Sequence, residues 1–436
     1  MQDNHIYSCS WGPTDDGRTL EAPSTLVAEA FVNGITNGRG GLGSIFVFAS
    51  GNGGLSQDNC NFDGFTNSIY TITVSSVDRY DGHPGYSESC SANMVVMYSS
   101  ADVRHDDAIA TTDWYLGVTG DVCTRSHGGT SAAAPLASGM YALVNSIRPD
   151  LNWRDYQHLS VRTAVPVSSN HSTWFKNGAG RLYSHAFGYG KLDAYQLLTL
   201  AKTWKSVPKQ VSIQTLPVSP TKDGGKIPQG PNSDVRVSFP VTQDIIERSN
   251  FGALEHVTVT VNIDHTYRGD VNVDLLSPSG SKSQLAVKRA YDGDATGFQN
   301  WTFMSVVHWD EVVLGTWQVI VSDHDHPDKE GVFKDARITF WGSWKEFHVA
   351  SPTVAVPPVE TGDPVAVVDS GNKTGSVPIV GWVVGSVALI GGIAALIWCL
   401  LKRKQKGKRV IVEVDGRMFK PLHDADDYDG DFEMEQ

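Results

Sequence analysis

Ser126-His127-Gly128-Gly129-Thr130-Ser131-Ala132-Ala133-Ala134-Pro135 is the stretch on which the reading of this chain turns. Two adjacent glycines let the backbone approach a substrate and take conformations that other residues resist. They deliver one serine, Ser131, and the small residues after it leave room around its hydroxyl. The apolar character of the following segment, on nearly every side, predicts a buried helix from Ala132 to about Arg148. Pro135 then falls in the first turn, where a missing N–H costs little. Ser131 lies at the positive end of that helix. A helix start capped by a hydroxyl residue is the plain alternative, and Gly-Thr-Ser alone fits it better. The whole ten-residue pattern favours a nucleophile turn, although it lacks the second glycine of a Gly-x-Ser-x-Gly elbow.

Working outward, residues 1–204 read as α/β. Residues 6–11 (IYSCSW) suit a strand, and Pro23 precedes a helical pattern whose apolar face is Leu26, Val27, Ala30, Phe31 and Ile35. Residues 44–50 (SIFVFAS) form a continuous apolar run ended by Gly51-Asn52-Gly53-Gly54, as expected of a buried parallel strand feeding a loop. Residues 69–77 (IYTITVSSV) repeat the theme. Strands alternating with helices predict a parallel sheet covered on both faces, with functional groups at the carboxyl ends of its strands. Asn52 and Ser131 both fit that placement. Residues 205–345 change character: 257–261, 271–275, 317–321 and 336–341 alternate or run apolar between turns, without helical periodicity. They predict a β-sandwich or jelly roll.

The chain of 436 residues has room for two to three domains, and its 40% hydrophobic content suffices for sizeable cores. A net charge of −13 argues against nucleic acid as a partner and fits basic ones. Residues 346–378 are rich in Pro, Val, Thr and Gly and read as a stalk. Residues 379–401 carry no charge and are long enough to span a bilayer. The block Lys402-Arg403-Lys404 that follows places the carboxyl side in the cytosol, so the tail 402–436 would face sorting machinery. Three glycosylation sequons stand at Asn170, Asn300 and Asn372. No basic start with an apolar core opens the chain. A membrane span without a leader predicts that an amino-terminal portion is missing.

Ser131 joined to Ile6-Tyr7-Ser8-Cys9-Ser10-Trp11-Gly12-Pro13, Asp15-Asp16-Gly17 and Ala49-Ser50-Gly51-Asn52-Gly53-Gly54 resembles the kexin/furin-type proprotein convertases of the subtilisin-like serine proteases. The likeness covers residue 4 to about 345, then the stalk, span and tail by layout. It implies the carboxyl-terminal part of a doubly wound catalytic domain over 1–204 and a P (homo B) domain over 205–345. It also implies an endoprotease cutting secretory precursors after Lys-Arg or Arg-Arg in the Golgi or late secretory pathway. Ser131 would be the nucleophile and Asn52 the oxyanion donor. Asp15 and Asp63 would line the first substrate pocket, with Trp11, Gly12, Glu21 and Phe65 along the cleft. Phe65 stands where furin has tyrosine. The resemblance further implies a calcium site at Asp15, Asp58 and Glu88 and a disulfide between Cys60 and Cys90.

The departures carry weight too. The family's catalytic aspartate and histidine motifs precede the region matching residue 4, and His5, His83, His105 and His127 have the wrong contexts for the base. Without a histidine, Ser131 is a weak nucleophile. Cys123 matches a cysteine whose partner lies upstream. Asp323-His324-Asp325-His326 reads as a loop rather than a metal cluster. The alternative is a membrane-anchored, non-catalytic binding or sorting protein for basic peptides, or a pseudogene product. Half a doubly wound sheet also exposes a strand edge and apolar surface, so this chain expressed alone is expected to misfold and to be inactive.

Overall fold

The computed structural model describes residues 4–345, apart from 102–106, 114–121, 231–232 and 324–325, together with 413–414 and 417–418. The stalk, the span 379–401, Asn372, His105 and nearly all of the tail lie outside the described residues. Among the described residues no helix is long and apolar enough to cross a membrane.

Four parallel strands form the first sheet in the order β1 (Ile6–Cys9), β2 (Ile45–Ala49), β3 (Thr71–Val77), β4 (Asn93–Tyr98). Every residue of β2 and β3 is buried, which explains their unbroken apolar or small character. Helices α1 (Thr25–Asn37), α2 (Thr130–Ile147), α3 (Trp153–Thr163) and α4 (Ala194–Thr203) accompany the sheet, and a hairpin of β5 (Ile109–Thr112) and β6 (Cys123–His127) leads into α2. A smaller hairpin, β7 (Phe175–Lys176) with β8 (Leu182–Tyr183), follows α3.

Three expectations need correction. Only Phe31 of the expected apolar face of α1 is buried, with Val27 and Ile35 packed beside it; Leu26 is 76% exposed. Helix α2 begins two residues early, so Pro135 occupies its second turn and not its first. It is also not buried all round: Leu136, Leu143 and Ile147 face out on one side, while Ala133, Ala134, Ala137, Tyr141 and Val144 enter the core. An interior proline costs about 3 kcal/mol because it removes one helical hydrogen bond and crowds the carbonyl four residues back.

The second layer is a sandwich of two four-stranded antiparallel sheets. One has the order β10 (Val235–Val241), β15 (Gly315–Asp323), β12 (Val271–Leu276), β13 (Lys282–Ala286); the other β14 (Phe298–Ser305), β11 (Phe251–His265), β16 (Gly331–Trp344), β9 (Gln210–Gln214). Alternate residues Val257, Val259, Val261 and Ile263 of β11 face Val271, Val273 and Leu275 of β12 across the core, as period-two patterning requires. A short helix, α5 (Gln243–Ser249), capped by the Thr242 hydroxyl, interrupts what read as purely β. Asp323 pairs with His265 and His326 with Asp270, so these two members of the Asp323–His326 run serve separate contacts.

The two parts share a seam. Met304, Val306, Val307 and Trp309, which follow from the end of β14, enter the core of the α/β part. Phe62 of the α/β part enters the sandwich core. Polar groups lock the exchange: the Asn61 side chain donates to the Met304 carbonyl at 3.1 Å and accepts its N–H at 2.9 Å. Asn177 donates to the carbonyls of Val307 and Trp309, and Tyr189 to that of Val306. Arg154 of α3 forms a two-pronged ion pair with Glu255 of β11, completely out of water, with the Ser343 hydroxyl also on Glu255. Buried pairs of this kind fix geometry more surely than they add stability. In the separate unit Val354–Gln436 the described residues form an antiparallel pair, β17 (Glu413–Val414) with β18 (Arg417–Met418).

Candidate active site

Three strand ends converge on the start of α2. Beyond β4, the Ser99 hydroxyl donates to the Gly129 carbonyl at 2.6 Å. Gly129 has φ 73°, a left-handed value that favours glycine, and an added Cβ would lie 3.0 Å from the Asn52 Oδ1. Beyond β2, Asn52 Oδ1 accepts the Thr130 N–H at 2.8 Å and its hydroxyl at 3.0 Å. With its oxygen held twice, the carboxamide turns its NH2 donors away from Thr130. Beyond β1, the Ser10 hydroxyl donates to the Ser131 carbonyl at 3.0 Å. Ser131 itself is the second residue of α2 and half-buried. Its own N–H is among those a helix start leaves unbonded.

Beside this turn lies a cluster of carboxylates. Asp15, Asp58, Asp63 and Glu88 line a cavity of about 10 Å³ together with Ser50 and Phe62. That is space for about one water-sized body. Asp15 accepts the Asn52 N–H at 2.9 Å, which links the pocket wall to the amide beside Ser131. Glu88 accepts the Gly53 N–H at 2.9 Å; it sits so close to Gly51 (φ 107°) that a Cβ there would meet its carboxylate at 2.3 Å. Asp58 accepts the N–H groups of Gly17 and Asn59.

Burial, followed by the charges of Asp58 and Asp15, drives the Glu88 carboxyl well above its ordinary range. Burial pushes Asp63 up to about 7 against its bonds from Phe65 and Thr66. Asp58 is raised by burial as well, and the Arg289 guanidinium opposes this from 3.5 Å. One guanidinium among four carboxylates leaves the pocket short of positive charge. A hard divalent cation beneath the pocket and a basic side chain within it both match that deficit. Asp15, Asp58 and Glu88 have the right oxygen chemistry for the former. Among the described residues no group of three acidic, histidine or cysteine side chains is already gathered as a metal-ligand set.

The remaining expected cleft residues are placed as follows. Trp11 is 57% exposed and stands edge-on over Phe65 and Phe48 at 5.0 and 5.4 Å. Phe65 is buried among Phe31 and Phe48, so it supports Trp11 instead of lining the cleft. Gly12 faces Asp63: an added Cβ would lie 3.1 Å from that carboxylate. Glu21 pairs by backbone with the chain on both sides of Asp63 and leaves its side chain exposed. Cys60 and Cys90 are joined, their Cα atoms 5.5 Å apart. Asn170 and Asn300 are both exposed.

Known proteins supply the family. The Subtilase family matches residues 1–190, and the proprotein convertase P-domain matches residues 254–340. The dibasic-processing endoprotease of Schizosaccharomyces pombe is 49% identical over 344 residues, which is 78% of this chain and 47% of that protein. The chain belongs to the kexin/furin-type proprotein convertases. Kexin of Saccharomyces cerevisiae is 47% identical, covering 73% of this chain and 38% of its own length. Furin of Rattus norvegicus is 40% identical, covering 82% and 43%. The chain therefore spans less than half the length of these convertases. The fold of the Aeromonas sobria serine protease, crystallised with its chaperone, aligns with a TM-score of 0.67 at 21% identity, over 78% of this chain and 71% of that one.

Three residues of this candidate site escaped the sequence. Ser10 and Thr130 sit inside quoted motifs, but their contacts span 121 and 78 positions. Arg289 comes from the sandwich, donates to the Thr19 carbonyl and stacks on Phe62 at 4.1 Å. A basic residue at a turn carries no local sign that it will be buried against a carboxylate cluster in another layer.

Proposed function

We propose that the protein is a calcium-dependent serine endoprotease that cuts precursors after paired basic residues. The observation that carries this reading is the single junction at which Ser131, the oriented Asn52 amide and the carboxylate pocket meet, joined through Asp15. Ser131 Oγ attacks the carbonyl after a basic residue, forming a C–O bond as its proton passes to a histidine base. The Asn52 NH2 and the free Ser131 N–H receive the charge that develops on the carbonyl oxygen. The C–N bond then breaks, the leaving amine takes the proton, and water releases the acyl group. Among the described residues no histidine is hydrogen-bonded to the Ser131 hydroxyl. In this reading the base and its orienting carboxylate come from outside the described residues.

Asp63 and Asp15 would grip the arginine fork or the lysine ammonium, since an unpaired cation in a pocket is costly. Asp15, Asp58 and Glu88 would hold calcium, which supplies the positive charge that keeps these carboxylates ionised beside the pocket. The same reading includes a single membrane span at 379–401, a lumenal catalytic part, a cytosolic tail that engages sorting machinery, late-secretory residence and glycosylation at the exposed Asn170 and Asn300. The names of the relatives, dibasic-processing endoprotease and kexin, support it.

The test is cleavage of fluorogenic peptides ending in Lys-Arg, Ala-Arg or Lys-Ala by the full-length protein, with Ser131→Ala as control. Efficient, chelator-sensitive cleavage of Lys-Arg alone, abolished in the variant, is the expected result. Tight binding of the Lys-Arg peptide with no turnover would instead establish the non-catalytic binding protein.

A further inference from the structure

We propose that Ser10 is a positioning residue for Ser131, its hydroxyl holding the one carbonyl that Pro135 leaves without a helical donor. In an α-helix the carbonyl of Ser131 accepts from the N–H of residue 135. Residue 135 is proline, which has no N–H and whose ring crowds that same carbonyl. The Ser131 carbonyl is therefore turned out of the helix, and the Ser10 hydroxyl meets it at 3.0 Å. Ser10 is the first residue after β1, so this bond ties the end of that strand to the backbone of the nucleophile.

The arrangement has a consequence for side-chain aim. Thr130 is fixed from the other side by Asn52 and by the Gly51 N–H at 3.3 Å. Asn52 holds the Gly129–Thr130 peptide and Ser10 the Ser131–Ala132 peptide, so the chain is anchored one peptide before and one peptide after the Thr130–Ser131 link. That bracketing limits the directions open to the Ser131 Cα–Cβ bond. A proline alone would free the Ser131 carbonyl without directing it, and the serine alone would compete with an existing helical bond. The pair makes sense only together.

This inference rests on the protease reading for its kinetic effect, and on the fold alone for the bond itself, so two measurements separate them. In the full-length protein, carbonyl-13C serine with 15N alanine labels the Ser-Ala links, among them Ser91, Ser100 and Ser131; Ser131→Ala identifies the third. Ser10→Ala should move the Ser131 carbonyl signal to lower frequency and leave the other two in place. It should also lower kcat about three- to tenfold with KM unchanged, the loss expected for one neutral hydrogen bond. Ser10→Thr, which keeps the hydroxyl, should restore both. In a Pro135→Ala background the restored N–H serves the carbonyl, and Ser10→Ala should then change kcat less than about twofold. An unmoved Ser131 signal, or equal losses in both backgrounds, overturns the proposal. If the unaltered protein cleaves no dibasic peptide, the protease reading fails, and the carbonyl signal still decides for or against the Ser10 bond.

Discussion

At Asn52 a single carboxamide does two jobs with its two ends. The oxygen is committed to Thr130, which leaves the nitrogen for the reacting carbonyl of the proposed cleavage. Asn52→Ala should therefore lower kcat by about 10²–10³ with little change in KM, the magnitude known for the side-chain oxyanion donor of subtilisin, a relative. Thr130→Val removes only the hydroxyl half of the clamp and should cost about tenfold or less. A larger loss in Thr130→Val than in Asn52→Ala would mean that the threonine, not the asparagine, faces the oxyanion. Asp63→Asn should weaken kcat/KM for arginine substrates by about 2–5 kcal/mol, because the substrate cation then enters a pocket without its partner. Equal rates for Arg and Ala at the cleaved position in the unaltered protein would contradict that assignment.

Among the secondary-structure elements, α3 shows how a cap can also anchor a connection. Asn152 caps it by accepting from Arg154 and Asp155, and Asp155 returns a bond to the Asn152 N–H. The Asp155 carboxylate also accepts from Trp204, Ser206 and Val207, the stretch that follows α4 and leads toward the sandwich. Asn152→Ala should cost about 1 kcal/mol, as caps generally do. Asp155→Ala should cost at least twice that, because three further donors lose their acceptor. Urea midpoints at unchanged slope would measure both, and equal losses would show that the anchor contributes nothing beyond the cap. What the sequence made legible here divides by range. The run at 44–50 predicted β2 because a strand buried on both faces needs no alternation. The exposure of Leu136, Leu143 and Ile147 on α2 was not legible, since apolar periodicity reports which residues could be covered and not what covers them. The seven-residue α5 is too short to leave a periodic signal. Asn52 and Ser131 stood in motifs and Asp63 was named through the family resemblance; Ser10's bond to Ser131 was not legible, because no local pattern encodes a partner so distant in the chain.

For the molecule as a whole, the seam sets the response to acid. Burial drives His256 down to about 3 against the pull of Glu255, and burial with the neighbouring His308 and Lys282 drives His185 down to about 4. Both stay neutral when folded, whereas an unfolded chain protonates them below about 6.5. Their contribution to stability is thus intact above pH 6.5 and is lost as pH falls toward 4, at about 1.4 kcal/mol per pH unit for each histidine. The carboxylates add a second, lower window. Burial pushes Glu255 up, but Arg154 and His158 outweigh it and hold it well below the usual range. Glu311 is likewise raised by burial and brought down to about 2 by the His308 ring at 3.3 Å and by the Gly178 N–H. These depressed groups contribute fully above about pH 4.5 and lose that contribution progressively as pH falls toward their folded values. Melting temperature should accordingly fall in two stages on acidification. His256→Phe, which keeps a ring against Trp309, should flatten the upper stage; an unchanged slope would place the acid sensitivity elsewhere.

The loop that carries Met304 to Trp309 lies in one part of the chain and is clothed by the other, and this bears on how the two parts could be exchanged between relatives. A recombination point placed at the linker near residue 205, where the backbone visibly crosses over, would graft a foreign plug into a socket shaped by Asn61, Asn177 and Tyr189. Chimeras that move this plug together with its socket keep the fit whatever happens at the linker. The heritable unit is the matched pair, and it does not coincide with either stretch of contiguous sequence.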